Sequence, residues 1–145
     1  MRPKPLTIAE VEYTAFRLAE KLMTWDEPIP AFGSRFPDVL ESCLAVPFAS
    51  FGEKDLYRGL IGKGSILFYL LIKNHPFQNG NKRVAIMRLL YFLYKNGGWI
   101  YISNDQLYRF AKHVAGSRPH KRELVLKHVQ AFLLANVKSL NRNKI

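Results

Sequence analysis

The run His75-Pro76-Phe77-Gln78-Asn79-Gly80-Asn81-Lys82-Arg83 gathers, within nine residues, side chains and backbone suited to phosphate chemistry. An imidazole at the entrance can take a proton near neutral pH from a hydroxyl attacking a bound phosphoryl group, which makes His75 the candidate general base. The pair Gly80-Asn81 tolerates the left-handed backbone that turns successive N–H groups inward. A helix opening at about Lys82 adds the positive end of its dipole, and the two together make an anion site. Lys82 and Arg83 bring two cations to the same place, and an arginine can hold phosphate oxygens by two bonds. Asn79 has an amide oxygen to offer a magnesium ion. Phe77, between polar neighbours, is expected to pin the loop to the core. Each feature alone is commonplace: a Gly-Asn turn, a His before a proline, a pair of solubilising cations. Their convergence in one loop points to phosphate.

The loop needs rigid flanks, and the sequence supplies them. From Asp55 a helical pattern runs through Leu56, Leu60, Ile61, Leu67, Phe68 and Leu71, and it is apolar nearly all round between Ile66 and Ile72, as in a buried central helix. It must stop at Asn74-His75-Pro76, because the residue before a proline is pushed out of the helical region. The next helix opens at about Lys82. Val84, Ile86, Met87, Leu90, Phe92 and Leu93 carry it to Lys95, where Asn96-Gly97-Gly98 supplies a stop.

Upstream, Thr7-Ile8-Ala9-Glu10 is a capping box for a helix over Ile8 to Leu22, with a stripe of Ile8, Val11, Ala15, Leu18 and Leu22. A proline-rich loop from Asp26 to Pro37 precedes a short helix over Asp38 to Ala45, and Phe48 to Lys54 reads as irregular. Downstream, Trp99 to Ile102 is extended, and Ser103-Asn104-Asp105-Gln106 caps a helix reaching Ala115. A last amphipathic helix is expected to use Leu124, Val125, His128, Phe132 and Leu133. The pattern predicts a single all-α domain over residues 1–145, with about six helices and the polar loop between the two central ones.

Composition agrees with one folded core: 145 residues, 48% apolar and 23% charged. The longest apolar run, Ile66 to Ile72, is far short of the roughly 20 residues that span a bilayer. No apolar stretch follows the basic N-terminal residues, and the single Cys43 closes no intrachain disulfide, so a cytoplasmic protein is expected. The formal charge of +11 favours acidic or polyanionic partners. Much of the excess lies between Ser117 and Ile145. No zinc-finger spacing, no basic region followed by heptads and no aromatic platform accompanies it, so a solvated basic helix is the reading preferred over a nucleic-acid reader.

At the polar loop the sequence resembles the Fic/Doc proteins, whose motif is His-Pro-Phe-x-acid-Gly-Asn-Gly/Lys-Arg. His75, Pro76, Phe77, Gly80, Asn81, Lys82 and Arg83 all agree with it. The stretches Phe36 to Ala45, Phe51 to Tyr57, Asn96-Gly97-Gly98 and Ser103-Asn104 resemble the surrounding parts of Doc-type, death-on-curing toxins. The resemblance implies a Fic/Doc-like helical bundle that moves part of a nucleotide onto a protein hydroxyl, with ATP and magnesium as cofactors. His75 is then similar to the general base, Gly80 and Asn81 to the backbone anion nest, and Arg83 to the phosphate-gripping arginine.

Asn79 departs from the usual Asp or Glu that holds magnesium, and a neutral amide is a weaker ligand. Lys82 stands where the adenylylating branch carries Gly, and Ile86 where it carries a second Arg; both features are Doc-like. That branch implies phosphotransfer from ATP to a threonine of elongation factor Tu, blocking translation. It also implies a cognate antitoxin, whose acidic C-terminal segment the positive charge would suit. The alternatives are a protein adenylyltransferase and a catalytically weak Fic-fold binding module. The family pattern further includes an upstream flap that aligns the target, for which Phe48 to Lys54 is the candidate. No Glu here is followed by Gly or Asn, as the self-inhibiting helix of some relatives requires.

Overall fold

The computed structural model describes residues 3–13, 35–76 and 80–139, with the backbone alone for 11–13. Among these residues the α-helices are α1 (Ile8–Tyr13), α2 (Pro37–Ala45), α3 (Gly59–Lys73), α4 (Asn81–Lys95), α5 (Asn104–Ala115) and α6 (Arg122–Asn136). Two small antiparallel pairs accompany them: β1 (Ser50–Phe51) with β2 (Lys54–Asp55), and β3 (Gly98–Ile100) with β4 (Val137–Ser139). The fold is the expected helical bundle with a polar loop between two central helices. The part of the first expected helix beyond Tyr13 and the loop up to Ser34 lie outside the described residues.

The centre is the pair α3 and α4. Every residue of α3 from Lys63 to Ile72 is buried, as is the apolar set Val84, Ile86, Met87, Leu90, Phe92 and Leu93 of α4. The two helices run antiparallel: a short connection joins their ends at residues 74–80, and Gly64 lies against Leu89 and Phe92 at the other. Phe68 of α3, Phe110 of α5 and Phe132 of α6 stack in succession, with 4.0 Å between the centroids of the last two. That aromatic column draws α5 and α6 onto the central pair.

Both capping boxes form. Ser103 Oγ accepts from the Gln106 amide at 3.1 Å, and Thr7 Oγ1 accepts from the Glu10 amide at 3.1 Å while Glu10 Oε1 accepts from the Thr7 amide at 2.8 Å. Glu10 also pairs with Lys95 at 2.8 Å, fastening α1 to the end of α4. There the stop expected at Asn96-Gly97-Gly98 is made by Gly97 at φ +82°, a left-handed value that glycine adopts without strain.

Two local expectations are corrected. The helix expected from Asp55 begins at Gly59, because Lys54 and Asp55 are paired with Phe51 and Ser50 in a hairpin. The extended piece expected from Trp99 is found as β3 over Gly98–Ile100, with Trp99 opposite Lys138 of the strand after the last helix. That last helix buries Val125, Leu126, Val129 and Leu133, whereas Leu124 is 50% exposed and His128 is exposed.

The hairpin is held from beneath by Lys63. Its ammonium, with no exposed side-chain surface, pairs with Asp55 Oδ2 at 3.0 Å, donates to the Tyr57 carbonyl and lies 5.6 Å from the Phe48 ring centroid. Lys63 lies ten residues, or about 15 Å of helical rise, before the end of α3 at Lys73, so the stem of this candidate flap is anchored at the far end of α3 from the polar loop. A buried cation stripped of its carboxylate is costlier than a buried pair replaced on the cation side by an apolar isostere. Urea unfolding should therefore find Asp55→Ala losing about 3 kcal/mol and Lys63→Met clearly less. The reverse order would show that the ion pair is not what anchors the hairpin.

Candidate active site

The buried α3 ends at Lys73, and the chain must reverse at once to bring the apolar face of α4 back against it. Among the described residues of the reversal, two lie in the left-handed region, His75 at φ +49° and Gly80 at φ +71°. At Gly80 this is free of strain. At His75 it costs on the order of 1 kcal/mol, which the surroundings must offset. One restraint is visible: the Phe36 amide donates to the Pro76 carbonyl at 2.7 Å, tying the reversal to the start of α2, which opens with Pro37 in the first helical position.

Gly80 is the residue that leads into α4, one step earlier than the expected start at Lys82. Its carbonyl accepts from the Val84 amide at 3.0 Å, so the amides of the first turn ahead of Val84 point out of the helix end, as an anion site requires. No carboxylate stands in that first turn, and Lys82 and Arg83 do. Lys82 is half-buried, while Arg83 is 4% and Asn81 is 6% exposed. His75 is exposed at the mouth, and its Nδ1 lies 3.4 Å from Asn81 Nδ2.

The Asn81 contact, which the sequence did not reveal, bears on the proton. If the amide is turned so that Oδ1 faces the ring, Nδ1–H donates to it and Nε2 is left with the lone pair a base needs. Asn81 thus joins the anion nest to the imidazole. A shallow cleft lined by Asp38, Val39, Ser42 and Asn74 opens beside the same turn.

His75, Gly80, Asn81, Lys82 and Arg83 are brought to one end of the α3–α4 pair. Phe77, Gln78 and Asn79 lie outside the described residues, and with them the candidate magnesium ligand. Ile86 is fully buried in the core. Behind the site, Cys43 of α2 is buried against Asn74 and Arg88; desolvation pushes its thiol up to about 11, and burial pulls the Arg88 guanidinium down to about 9. A larger cleft of about 650 Å³, lined by Tyr57, Ile61, Lys127 and Leu134 among others, sits at the hairpin end and includes none of the loop residues.

The sequence matches the model of the Fic/DOC family over residues 9–93, and the chain belongs to that family. Its members are typically transferases that act on proteins by nucleotidyl or phosphoryl transfer, using ATP with a divalent metal. No curated protein and no solved structure matches the chain. No helix among the described residues is long and apolar enough to cross a membrane.

A thiol held at about 11 and shut from solvent is no nucleophile at neutral pH. A thiol reagent added to the native protein at neutral pH should leave Cys43 unmodified and react fully once the chain is unfolded. Rapid reaction in the native state would contradict the buried placement.

Proposed function

We propose that the chain transfers the γ-phosphoryl group of ATP to a hydroxyl of a protein, in the manner of the Doc-like branch it resembles. The observation that carries this reading is the convergence at one helix end: Gly80 in the left-handed region, outward amides, Lys82 and Arg83, and His75 beside Asn81. ATP fits the donor set, since every described group at this end that could meet a phosphate is an amide N–H or a cation. Asn79 is the candidate ligand for magnesium, which when bound would neutralise charge on the nucleotide's phosphates.

The proposed step is balanced within these groups. The target's hydroxyl oxygen forms a bond to the γ-phosphorus as the bond from that phosphorus to the β–γ bridging oxygen breaks, and ADP leaves. The hydroxyl proton goes to His75 Nε2. Gly80, Asn81 and Lys82 hold the phosphoryl oxygens through backbone amides, and Arg83 adds the charge that orients them.

Phosphoryl rather than adenylyl transfer is favoured by two side chains. Lys82 occupies a position where a glycine would leave room for inner phosphates, and Ile86, one turn on, faces the core and offers them no charge. A terminal phosphate is then the one seated against the nest. The target implied by the resemblance is a threonine of elongation factor Tu, with arrest of translation and relief by an acidic antitoxin as the physiological setting.

Incubation with a bacterial lysate and ATP labelled at either the α or the γ phosphate should move only the γ label onto protein. Transfer of the α label would replace this reading with adenylylation, and transfer of neither, from soluble folded protein, would favour a binding module. His75→Ala should lower the labelling rate by roughly 10²–10⁴ while leaving the unfolding transition unchanged, because an exposed loop imidazole adds little packing. A rate within a few-fold of the parent would remove His75 from its role.

A further inference from the structure

We infer that the segment Arg118 to Arg122 is a docking rim for an acidic segment of the protein substrate, set beside the transfer loop. The inference rests on the reading that the substrate is a protein and adds which chemistry of that protein the chain recognises. In the sequence Ser117-Arg118-Pro119-His120-Lys121-Arg122, three fixed cations and a histidine fall within six residues without an acid, and Glu123 is the first to follow. All four basic side chains are exposed.

The segment is preorganised. Pro119–Lys121 forms a 3₁₀ turn, with the Lys121 amide donating to the Arg118 carbonyl at 2.9 Å. One ridge of α3 clamps it at both ends. Lys73 donates to the carbonyls of Ala115, at 3.3 Å, and Ser117, at 2.5 Å, where α5 ends and the segment begins. Tyr69, four residues earlier on the same helix face, lies beneath the Arg122 guanidinium, 5.5 Å from its ring centroid.

Lys73 is the last residue of α3, and His75 follows two residues later. A lysine spans about 6 Å and two residues about 7 Å, so the start of the segment lies within roughly 15 Å of the candidate base. The same helix thus ends in the transfer loop and holds the basic turn in register with it. Cations fixed on a short rigid turn lose little freedom on meeting carboxylates, and they steer an acidic surface toward the loop before contact.

An acidic peptide suits this surface better than a nucleic acid does. The segment contains no Phe, Tyr or Trp to form a stacking platform for bases, and the adjacent Tyr69 is 3% exposed with its ring beneath Arg122. The turn is also too short to follow a phosphate backbone.

The test uses the whole chain and its Arg118→Glu/Lys121→Glu variant; both side chains are exposed and away from the clamps. Anisotropy at low salt with a labelled poly-glutamate peptide should show binding to the parent, weakened at least about tenfold in the variant. With the protein found by lysate labelling, KM should rise at least about fivefold, while kcat and the KM for ATP stay within about twofold. Equal peptide binding by the two proteins, or an unchanged KM for the protein, would overturn the inference. So would tighter binding of a single-stranded RNA of equal charge that the same variant abolishes. If the parent labels no protein, the proposed transfer reaction fails, while the peptide measurement still decides whether the turn is an acidic-segment site.

Discussion

The antiparallel burial of α3 against α4 is the constraint on which the rest depends. The side chains of α3 from Ile66 to Ile72 are at most 4% exposed, and α4 matches them with an apolar face of its own, so neither helix is stable alone in water. Joining them through residues 74–80 forces the backbone to reverse, and the reversal places His75 and Gly80 in the left-handed region. The polar chemistry is therefore a consequence of the apolar packing: the helix end that the core fixes is the end whose amides face outward. The left-handed backbone at His75 is held only while the helices stay packed, which ties the geometry of the loop to the stability of the core.

The same pairing divides the molecule into two ends with different tasks. At one end are the polar loop, the tie from Phe36 to Pro76, and the basic turn clamped by Tyr69 and Lys73. At the other, Lys63 anchors the hairpin, Lys95 and Asn96 fasten the residues around α1, and β3 pairs with β4. Family resemblance suggested that Phe48 to Lys54 aligns the target. Its stem is anchored by Lys63, ten residues or about 15 Å of helical rise before the end of α3 at Lys73. The basic turn is held at the other end of the same helix, by Tyr69 and Lys73.

The central helices and the chemical loop were legible because both are local. Burial on all sides leaves a continuous apolar run at Ile66 to Ile72, the capping boxes at Thr7 and Ser103 are written in four residues each, and the loop's residue types state their chemistry directly. Strands of two or three residues give no periodicity to read, so Lys54 was read as irregular, Asp55 was absorbed into the following helix, and β4 passed unnoticed. In the last helix Val125, Phe132 and Leu133 were read correctly and Leu124 and His128 were not, because its apolar residues outnumber those one face can bury: Leu124 and Leu134 remain exposed beside the buried Val125, Leu126, Val129 and Leu133. Contacts made across the fold were invisible for the same reason. Lys73 meets carbonyls more than forty residues away, and nothing in its neighbourhood marks it as a clamp. Asn81 was legible as part of the nest but not as the neighbour of His75, a relation created by the reversal itself.

The claim that the α4 end is the phosphate seat can be tested without any knowledge of the target. In a backbone amide NMR titration with ATP and magnesium, the largest saturable shifts should fall on Gly80, Asn81, Lys82 and Arg83, and Arg83→Ala should weaken the apparent affinity by about tenfold or more, as expected for loss of a charge-assisted contact. Shifts concentrated instead at the hairpin-end cleft around Tyr57, Ile61 and Lys127, with the Gly80 and Asn81 amides unmoved, would contradict the account.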